Sequence, residues 1–248
     1  MHHLLIIAVS FLLGLSSGFI GGLSTGGGLI SIPGLIFMGL SPGAAIATTR
    51  LSALTGGLSA FFRYRQERMV RWDKIWPFII IAILGGIVGS KLLLQIDQHT
   101  LQKAVGILLL ILAPALAFNQ DFGLKELEKT KRQNRAGYLV IFLVMIYAAM
   151  FGGGGGTFML YTLVYFFGMT IIQSTANGNV MGLFAIVTAL IYYLHSGIVN
   201  FSYGIPLMIG SAIGGYMGAH AAIEKGNAFV RIAFLVIVFA SGVKLLFF

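Results

Sequence analysis

Residues 18–28, GFIGGLSTGGG, decide the fold of this chain, and a second glycine run, FGGGGGT at residues 151–157, returns in its second half. Each run precedes an apolar piece, 29–39 or 158–168. Neither piece can cross a bilayer alone, because a spanning helix needs about 20 residues. Short apolar segments that glycine interrupts at matching positions are typical of broken or re-entrant membrane helices. We therefore predict one such helix in each half of the chain.

The composition indicates that lipid is the main solvent. Of the 248 residues, 58% are hydrophobic and 9% are charged, whereas a soluble domain carries about 25% charged residues. The sequence predicts an all-α integral membrane protein with about eight transmembrane helices. Their predicted ranges are 4–23, 45–62, 75–95, 101–118, 137–151, 176–194, 204–222 and 228–247.

The net charge of +9 does not indicate nucleic-acid binding. The basic residues are mostly confined to three short stretches between apolar segments, which is the distribution that the positive-inside rule produces. The chain has no Cys residue, so disulfides and thiol-ligated metals are excluded.

An internal repeat organises the chain. When Gly26 is paired with Gly155, the sequence aligns with itself without a gap from about Gly26 to Leu110, and we call this pairing the repeat alignment. The glycine runs and several further residues then coincide: Gly39 with Gly168, Pro77 with Pro206, and Gly85, Gly86 and Gly89 with Gly214, Gly215 and Gly218. We predict two transmembrane repeats, 1–118 and 136–248, joined by a cytoplasmic linker at 119–135.

The basic residues indicate how the repeats are oriented. They crowd the loop that follows 45–62 and the linker, but the counterpart loop at 195–203 has no Lys or Arg. Because Lys and Arg concentrate in cytoplasmic loops, this pattern favours inverted repeats with both termini outside. A parallel arrangement stays open, and it would leave Lys225 and Arg231 outside.

The helix breaks are the candidate binding site. Freed N–H groups at the start of a half-helix carry partial positive charge and suit an anion. The glycines and hydroxylated residues around the breaks are Ser24, Thr25, Gly26, Gly27, Thr48, Thr49, Gly155, Gly156, Thr157, Ser174 and Thr175. Each hydroxyl could instead bond a carbonyl of its own helix, and both interpretations stay open.

Arg50 is the most informative single residue. It lies inside the predicted span 45–62, and a basic group at that depth normally faces a cavity or a partner. No Asp or Glu falls inside a predicted span, so the partner is either a mobile anion or backbone carbonyls. The repeat aligns Arg50 with Asn179 and Thr48 with Asn177; the two asparagines can contact an anion or join two helices.

The lack of carboxylates in the spans also bears on energy coupling. Proton-driven carriers commonly use Asp, Glu or His within the membrane, and here only His195 and His220 lie near span ends. We expect facilitated anion exit, or a proton that travels on the substrate, and coupling to another ion stays open.

The glycine run at 152–156 is not a P-loop, because no Gly-Lys-Ser/Thr follows it. We predict no enzyme activity, no cofactor and no metal.

The paired motifs resemble those of the sulfite-exporter, TauE/SafE-type, family of membrane transporters. The resemblance rests on residues 18–28, on Ser41-Pro42 with 45–48, and in the second half on 151–157, 174–177 and 214–219. It implies Ser24, Thr25, Thr48, Thr157 and Asn177 as binding residues. The pattern has one departure: where the family resemblance implies a lysine, this chain has Gly178-Asn179, and its basic residue is Arg50 in the other half.

The resemblance implies a multi-pass carrier of the cytoplasmic (inner) membrane that exports small sulfur-containing anions such as sulfite or organosulfonates. Its expected partners are a small anionic substrate and membrane lipid, and the oligomeric state stays open. A passive anion channel is the alternative, and a membrane-embedded enzyme or assembly subunit is a third.

Overall fold

The computed structural model describes residues 2–73, 75–95, 123–152 and 154–247, and the regular structure in them is entirely helical. The eight helices in this part of the chain are α1 (His2–Ser24), α2 (Gly28–Phe37), α3 (Pro42–Gln66), α4 (Ile75–Leu93), α5 (Lys131–Phe151), α6 (Gly155–Phe167), α7 (Ile171–His195) and α8 (Phe201–Phe247). Gly226 interrupts α8 with non-helical torsion angles, φ 78° and ψ 178°. The predicted span 101–118 lies outside the described residues.

Side-chain caps set the start of three long helices. Ser41 caps α3, with Pro42 in the first turn. Thr130 and Thr170 each form a capping box with the glutamine three residues later, at the start of α5 and α7. Because these caps satisfy otherwise unpaired backbone N–H groups, the helices begin three to six residues before the predicted apolar spans.

Four helices in the described part of the chain are long and apolar enough to cross a membrane: Leu4–Ser24, Ile75–Leu93, Lys131–Phe151 and Ile171–His195. Two helices are apolar but short, α2 with 10 residues and α6 with 13. Both begin at the glycine runs, so the helices are interrupted there as predicted. The total of eight spans stays a prediction.

Local geometry recurs in the repeat alignment. The alignment pairs the ends of α3, Pro42 and Gln66, with the ends of α7, Ile171 and His195. Backbone angles in the left-handed region recur in the same register. The matched pairs are Thr25 (φ 60°) with Gly154 (φ 81°), Gly39 (φ 98°) with Gly168 (φ 68°), and Arg68 (φ 56°) with Gly197 (φ 70°).

The two halves exchange packing partners. Helix α1 packs along α8 of the other half, where a Cβ on Gly14 would overlap the backbone of Leu207 and one on Gly22 would overlap that of Gly215. Helix α4 likewise packs along α5, where Gly89 lies against the carbonyl of Ile146. Such close approach of backbones is the usual role of small residues between membrane helices.

Helices α3 and α7 run in opposite directions. Ala47, early in α3, shares a buried cluster with Tyr193, late in α7. Gly57, further along α3, lies against Leu183, and Arg71, beyond the end of α3, bonds Asn177 near the start of α7. The central helices of the two halves are therefore antiparallel.

Basic residues gather at one end of this helix pair. Arg71 forms ion pairs there with Asp73 (3.3 Å) and with Glu126 of the linker. Hydrogen bonds to these carboxylates raise the pKa of the Arg71 guanidinium above its ordinary value, and the bond to Asp73 contributes most. At the opposite end, the loop between α7 and α8 carries no Lys or Arg.

Candidate functional site

The two helix breaks lie against each other. Helix α1 ends at Ser24, Thr25 turns the chain with a left-handed φ, and α2 follows. Helix α5 ends at Phe151, and Gly154 makes the equivalent turn before α6. A Cβ on Gly156 would overlap the carbonyl oxygen of Thr25, so only glycine permits this approach.

Both short helices point an uncapped N-terminus into this region. Neither α2, after Gly27, nor α6, after Gly154, has a side-chain hydrogen bond to its first turn. At the start of α2, the N–H groups of Leu29 and Ile30 already donate to the carbonyls of Gly26 and Gly27. The helix dipole adds partial positive charge at both N-termini. Such an end is a suitable place for a negatively charged ligand.

A cavity of about 120 Å³ opens beside the breaks. Its walls come from α1, α2, α3, α5, α6, α7 and α8, thus from both halves of the chain. Six of the predicted site residues line it: Thr25, Gly27, Thr49, Arg50, Gly156 and Asn179. Among the described residues, no Asp or Glu lies in this lining.

Arg50 lines the cavity, and its hydrogen bonds go to the protein. The residue is 5% exposed, and its Nη2 donates to the carbonyls of Ala148 (2.9 Å) and Ala149 (2.6 Å). These carbonyls lie in the last turn of α5, where the helix dipole is negative, and that of Ala148 also accepts the N–H of Gly152 at 3.0 Å. Its Nε is buried with no hydrogen-bond partner among the described residues. Tyr193 donates its hydroxyl to the same Ala149 carbonyl at 2.8 Å.

Asn179 is the counterpart of Arg50 in the second half, and it bonds differently. Its Nδ2 donates to the carbonyl of Thr175, four residues earlier in α7, at 3.0 Å. Its Oδ1 lies across from α3, 3.9 Å from where a Cβ on Gly57 would be. The two matched positions thus present a cation and a carbonyl oxygen to one cavity.

Thr48 and Asn177 lie away from the cavity and join the two halves. The Thr48 hydroxyl accepts the backbone N–H of Asn200 at 2.9 Å, and Asn177 Oδ1 accepts that of Arg71 at 3.0 Å. Since the repeat alignment also pairs Arg71 with Asn200, these bonds are equivalent. Each ties the loop of one half to the central helix of the other.

The remaining predicted residues surround the breaks without lining the cavity. The hydroxyls of Ser24 and Thr175 bond carbonyls of their own helices at 3.3 and 2.9 Å. The buried hydroxyls of Thr157 and Ser174 have no partner among the described residues. The two glycines of this group are Gly26, whose carbonyl accepts from Leu29 at 3.1 Å, and Gly155, which packs on Ala148.

Several lining residues are absent from the prediction: Ser17, Ser31, Ser52, Gly56, Gly57 and Ser211. Helical spacing was a usable signal for two of them, because Ser52 and Gly56 follow Thr49 at three and seven residues on one face of α3. Ser211 comes from α8 of the other half, and nothing in its local sequence indicates the exchange of packing partners.

The described residues hold no group of three or more His, Asp or Glu side chains that could bind a metal. The described lining offers a ligand a guanidinium, backbone N–H groups and neutral oxygens.

Comparison with known proteins extends over nearly the whole chain. The family model described as "Sulfite exporter TauE/SafE" matches residues 9–245. A protein of Haemophilus influenzae named "Probable membrane transporter protein" is 28% identical over 247 residues, which cover 98% of this chain and 95% of that one.

Two more distant relatives carry similar names. "Probable membrane transporter protein YfcA" of Escherichia coli K12 is 24% identical, covering 98% of this chain and 90% of its own. "Probable membrane transporter protein YunE" of Bacillus subtilis is 24% identical, covering 84% and 85%. No solved structure matches the chain. Because the family model spans both glycine runs and the cavity between them, the chain belongs to the TauE/SafE sulfite exporter family of membrane transporters.

Proposed function

We propose that the protein is a secondary transporter or facilitator that exports small sulfur-containing anions, such as sulfite or organosulfonates, across the cytoplasmic membrane. The observation that carries this proposal is the cavity between the two helix breaks, where Arg50 is buried and the part of the lining that the structure describes has no carboxylate. The family membership supports transport as the activity.

Electrostatics supports an anion as the ligand. A buried charge without a compensating partner costs several kcal/mol in a low-dielectric interior. The carbonyls of Ala148 and Ala149 offer only partial negative charge, and both engage the same nitrogen, Nη2. A small anion at the guanidinium of Arg50 would supply the missing negative charge, and the N-termini of α2 and α6 would add partial positive charge.

The direction of the helices supports an inverted repeat as the transport machinery. Helices α3 and α7 are counterparts in the repeat alignment and run antiparallel. Inverted repeats that meet at broken helices allow one bundle to rock against the other around a central site. The basic end, with Arg71 and the linker, then faces the cytoplasm.

Counterflow in proteoliposomes tests the proposal. We expect unlabelled sulfite inside the vesicles to accelerate and then saturate the entry of labelled sulfite, and Arg50→Met to abolish this exchange. Arg65, an exposed residue near the end of α3, supplies the matched control Arg65→Met, which should exchange normally.

Three results would each contradict a different part of the proposal. Flux that does not saturate and shows no counterflow would indicate a passive anion channel. Exchange of other anions but not of sulfite or sulfonates would contradict the substrate class. Normal exchange by Arg50→Met would remove Arg50 from the site.

A further inference from the structure

The hydroxyl groups that line the cavity are all committed as hydrogen-bond donors. Each hydroxyl-bearing side chain in the described part of the lining donates to a backbone carbonyl, at distances from 2.6 to 3.3 Å: Ser17, Thr25, Ser31, Thr49, Ser52 and Ser211. A carbonyl oxygen can only accept, so in each pair the hydrogen must belong to the hydroxyl. The hydroxyl oxygens therefore have only acceptor capacity left for a ligand.

The same reasoning fixes the orientation of the Asn179 amide. Its nitrogen must be the atom that faces the Thr175 carbonyl, because the opposite orientation would put two acceptors together. Oδ1 is then the amide atom that faces α3 across the cavity, close to Gly57. It is a further acceptor.

The free donors are concentrated at Arg50 and at the helix breaks. Arg50 has its unpartnered Nε, and the N–H groups of Gly155 and Gly156 at the start of α6 have no bond to a described residue. The start of α2 contributes less, because the N–H groups of Leu29 and Ile30 already donate to Gly26 and Gly27. Asn179 Oδ1 lies near Gly57, about two helical turns along α3 from Arg50. Acceptor oxygens lie throughout the lining, including Thr25 at the break and Thr49 beside Arg50, whereas Arg50 is the one cation among the described lining residues.

We propose that the ligand of this cavity is a monoanion that carries its own hydrogen-bond donor, with its negative group at Arg50 and its donor directed to Asn179 and the lining hydroxyl oxygens. Two kinds of molecule have this chemistry: an oxyanion in its singly protonated form, such as hydrogensulfite, and a sulfonate that bears a hydroxyl group. This inference rests on the proposed anion site and specifies which anions it prefers.

A dianion without a proton fits this cavity less well. Its second charge would face neutral acceptor oxygens that have no hydrogen to offer, and an acceptor left against an acceptor in a buried site is costly. For an oxyanion acid, this preference means that one proton travels on the substrate. No carboxylate in the lining is needed to carry it.

Two sulfonates of equal charge test the inference on the purified protein: ethanesulfonate, which has no donor, and 2-hydroxyethanesulfonate, which has one. Neither titrates near neutral pH, so the hydroxyl group is the difference measured by calorimetry. We expect 2-hydroxyethanesulfonate to bind about tenfold more tightly, since one buried hydrogen bond is worth about that factor. Asn179→Leu should reduce the ratio toward one while ethanesulfonate binding changes little.

The affinity for inorganic sulfite, measured as a function of pH, is the second test. It shows whether the acid proton of the ligand can serve as the donor in place of a hydroxyl group. We expect its affinity to fall as the pH rises through the second dissociation of the acid, and the affinity of ethanesulfonate to stay constant over the same range. Equal binding of the two sulfonates by the wild-type protein would overturn the inference and leave the anion site intact. Binding of neither sulfonate, nor of sulfite at any pH, would instead contradict the proposed function itself.

Discussion

The two halves of this chain share a backbone pattern but differ at the residues that meet the cavity. Left-handed turns recur in register, and so do the bonds that Thr48 and Asn177 accept from the opposite loops. Yet the first half places Arg50 where the second half places Asn179. The recurring turns and loop bonds build the scaffold. The position that differs gives the cavity a cation from the first half and an amide from the second.

A similar division holds at the ends of the first helix in each half. Tyr193 donates to Ala149 in the last turn of α5, and its counterpart Tyr64 donates to Gly22 in the last turn of α1, at 2.8 and 2.7 Å. Both rings are fully buried. Only the end of α5 also accepts hydrogen bonds from a guanidinium, that of Arg50. The tyrosine bond is therefore next to a charged side chain in the second half only.

The largest effect is expected from removing the difference between the halves. Arg50→Asn would give both halves an amide at this position. We expect the affinity for anions to fall at least about 100-fold, corresponding to about 3 kcal/mol for the loss of a buried charged partner. Calorimetric titration with sulfite measures it, and Arg65→Asn is the control. Unchanged affinity in a folded Arg50→Asn protein would contradict the assignment.

The next effect concerns the glycines that let the breaks approach. Gly27 and its counterpart Gly156 each lie against backbone, at Ser17 and Thr25 respectively. We expect Gly27→Ala and Gly156→Ala each to lower the free energy of unfolding by about 1–3 kcal/mol, because backbone cannot move aside as a flexible side chain can.

Gly182 provides the control for these two substitutions. Nothing lies within 4 Å of a Cβ at that position, so Gly182→Ala should be neutral or slightly stabilising. Thermal unfolding in detergent compares all three variants. Equal stability of all three would mean that the breaks are not in close contact.

The matched tyrosines give a smaller and more selective effect. Tyr193→Phe and Tyr64→Phe should each cost about 1 kcal/mol of stability through one buried hydrogen bond. Only Tyr193→Phe should also weaken sulfite binding, by a few-fold, because Arg50 shares the Ala149 carbonyl with Tyr193. Equal effects of both substitutions on sulfite binding would mean that Tyr193 does not position Arg50.

The smallest effect concerns the turn between α1 and α2. Thr25 holds φ at 60°, where a β-branched residue is strained and where the second half has Gly154. We expect Thr25→Gly to change stability by less than about 1 kcal/mol, since relief of strain is offset by the flexibility of glycine. Gly154→Thr should destabilise more, and unfolding curves of the two variants would test this difference.

Much of the helical layout could be predicted from the sequence, because glycine runs and apolar lengths are local signals. The short helices after Gly27 and Gly154 are examples. The early starts of α3 and α7 could not be predicted from hydropathy, since Ser41 and Thr170 extend these helices through polar caps. Packing of α1 on α8 depends on contacts between distant parts of the chain and has no local signal.

The lining of the cavity could be predicted only in part. Arg50 and Asn179 could be identified because they are polar residues inside apolar spans at matched positions. The interpretation of Thr48 and Asn177 as binding residues is not supported by the geometry of the cavity, because both accept bonds from the opposite loops. Only the three-dimensional exchange between halves reveals that use.

The most direct test of the anion site is a crystal structure of the protein with selenite, a heavier analogue of sulfite whose selenium gives an anomalous signal. We expect one anomalous peak in the cavity between the starts of α2 and α6, with an oxygen within hydrogen-bond distance of the Arg50 guanidinium. A cavity without the peak, or helices that run unbroken through Gly26–Gly28 and Gly152–Gly156, would contradict a site built from two interrupted helices.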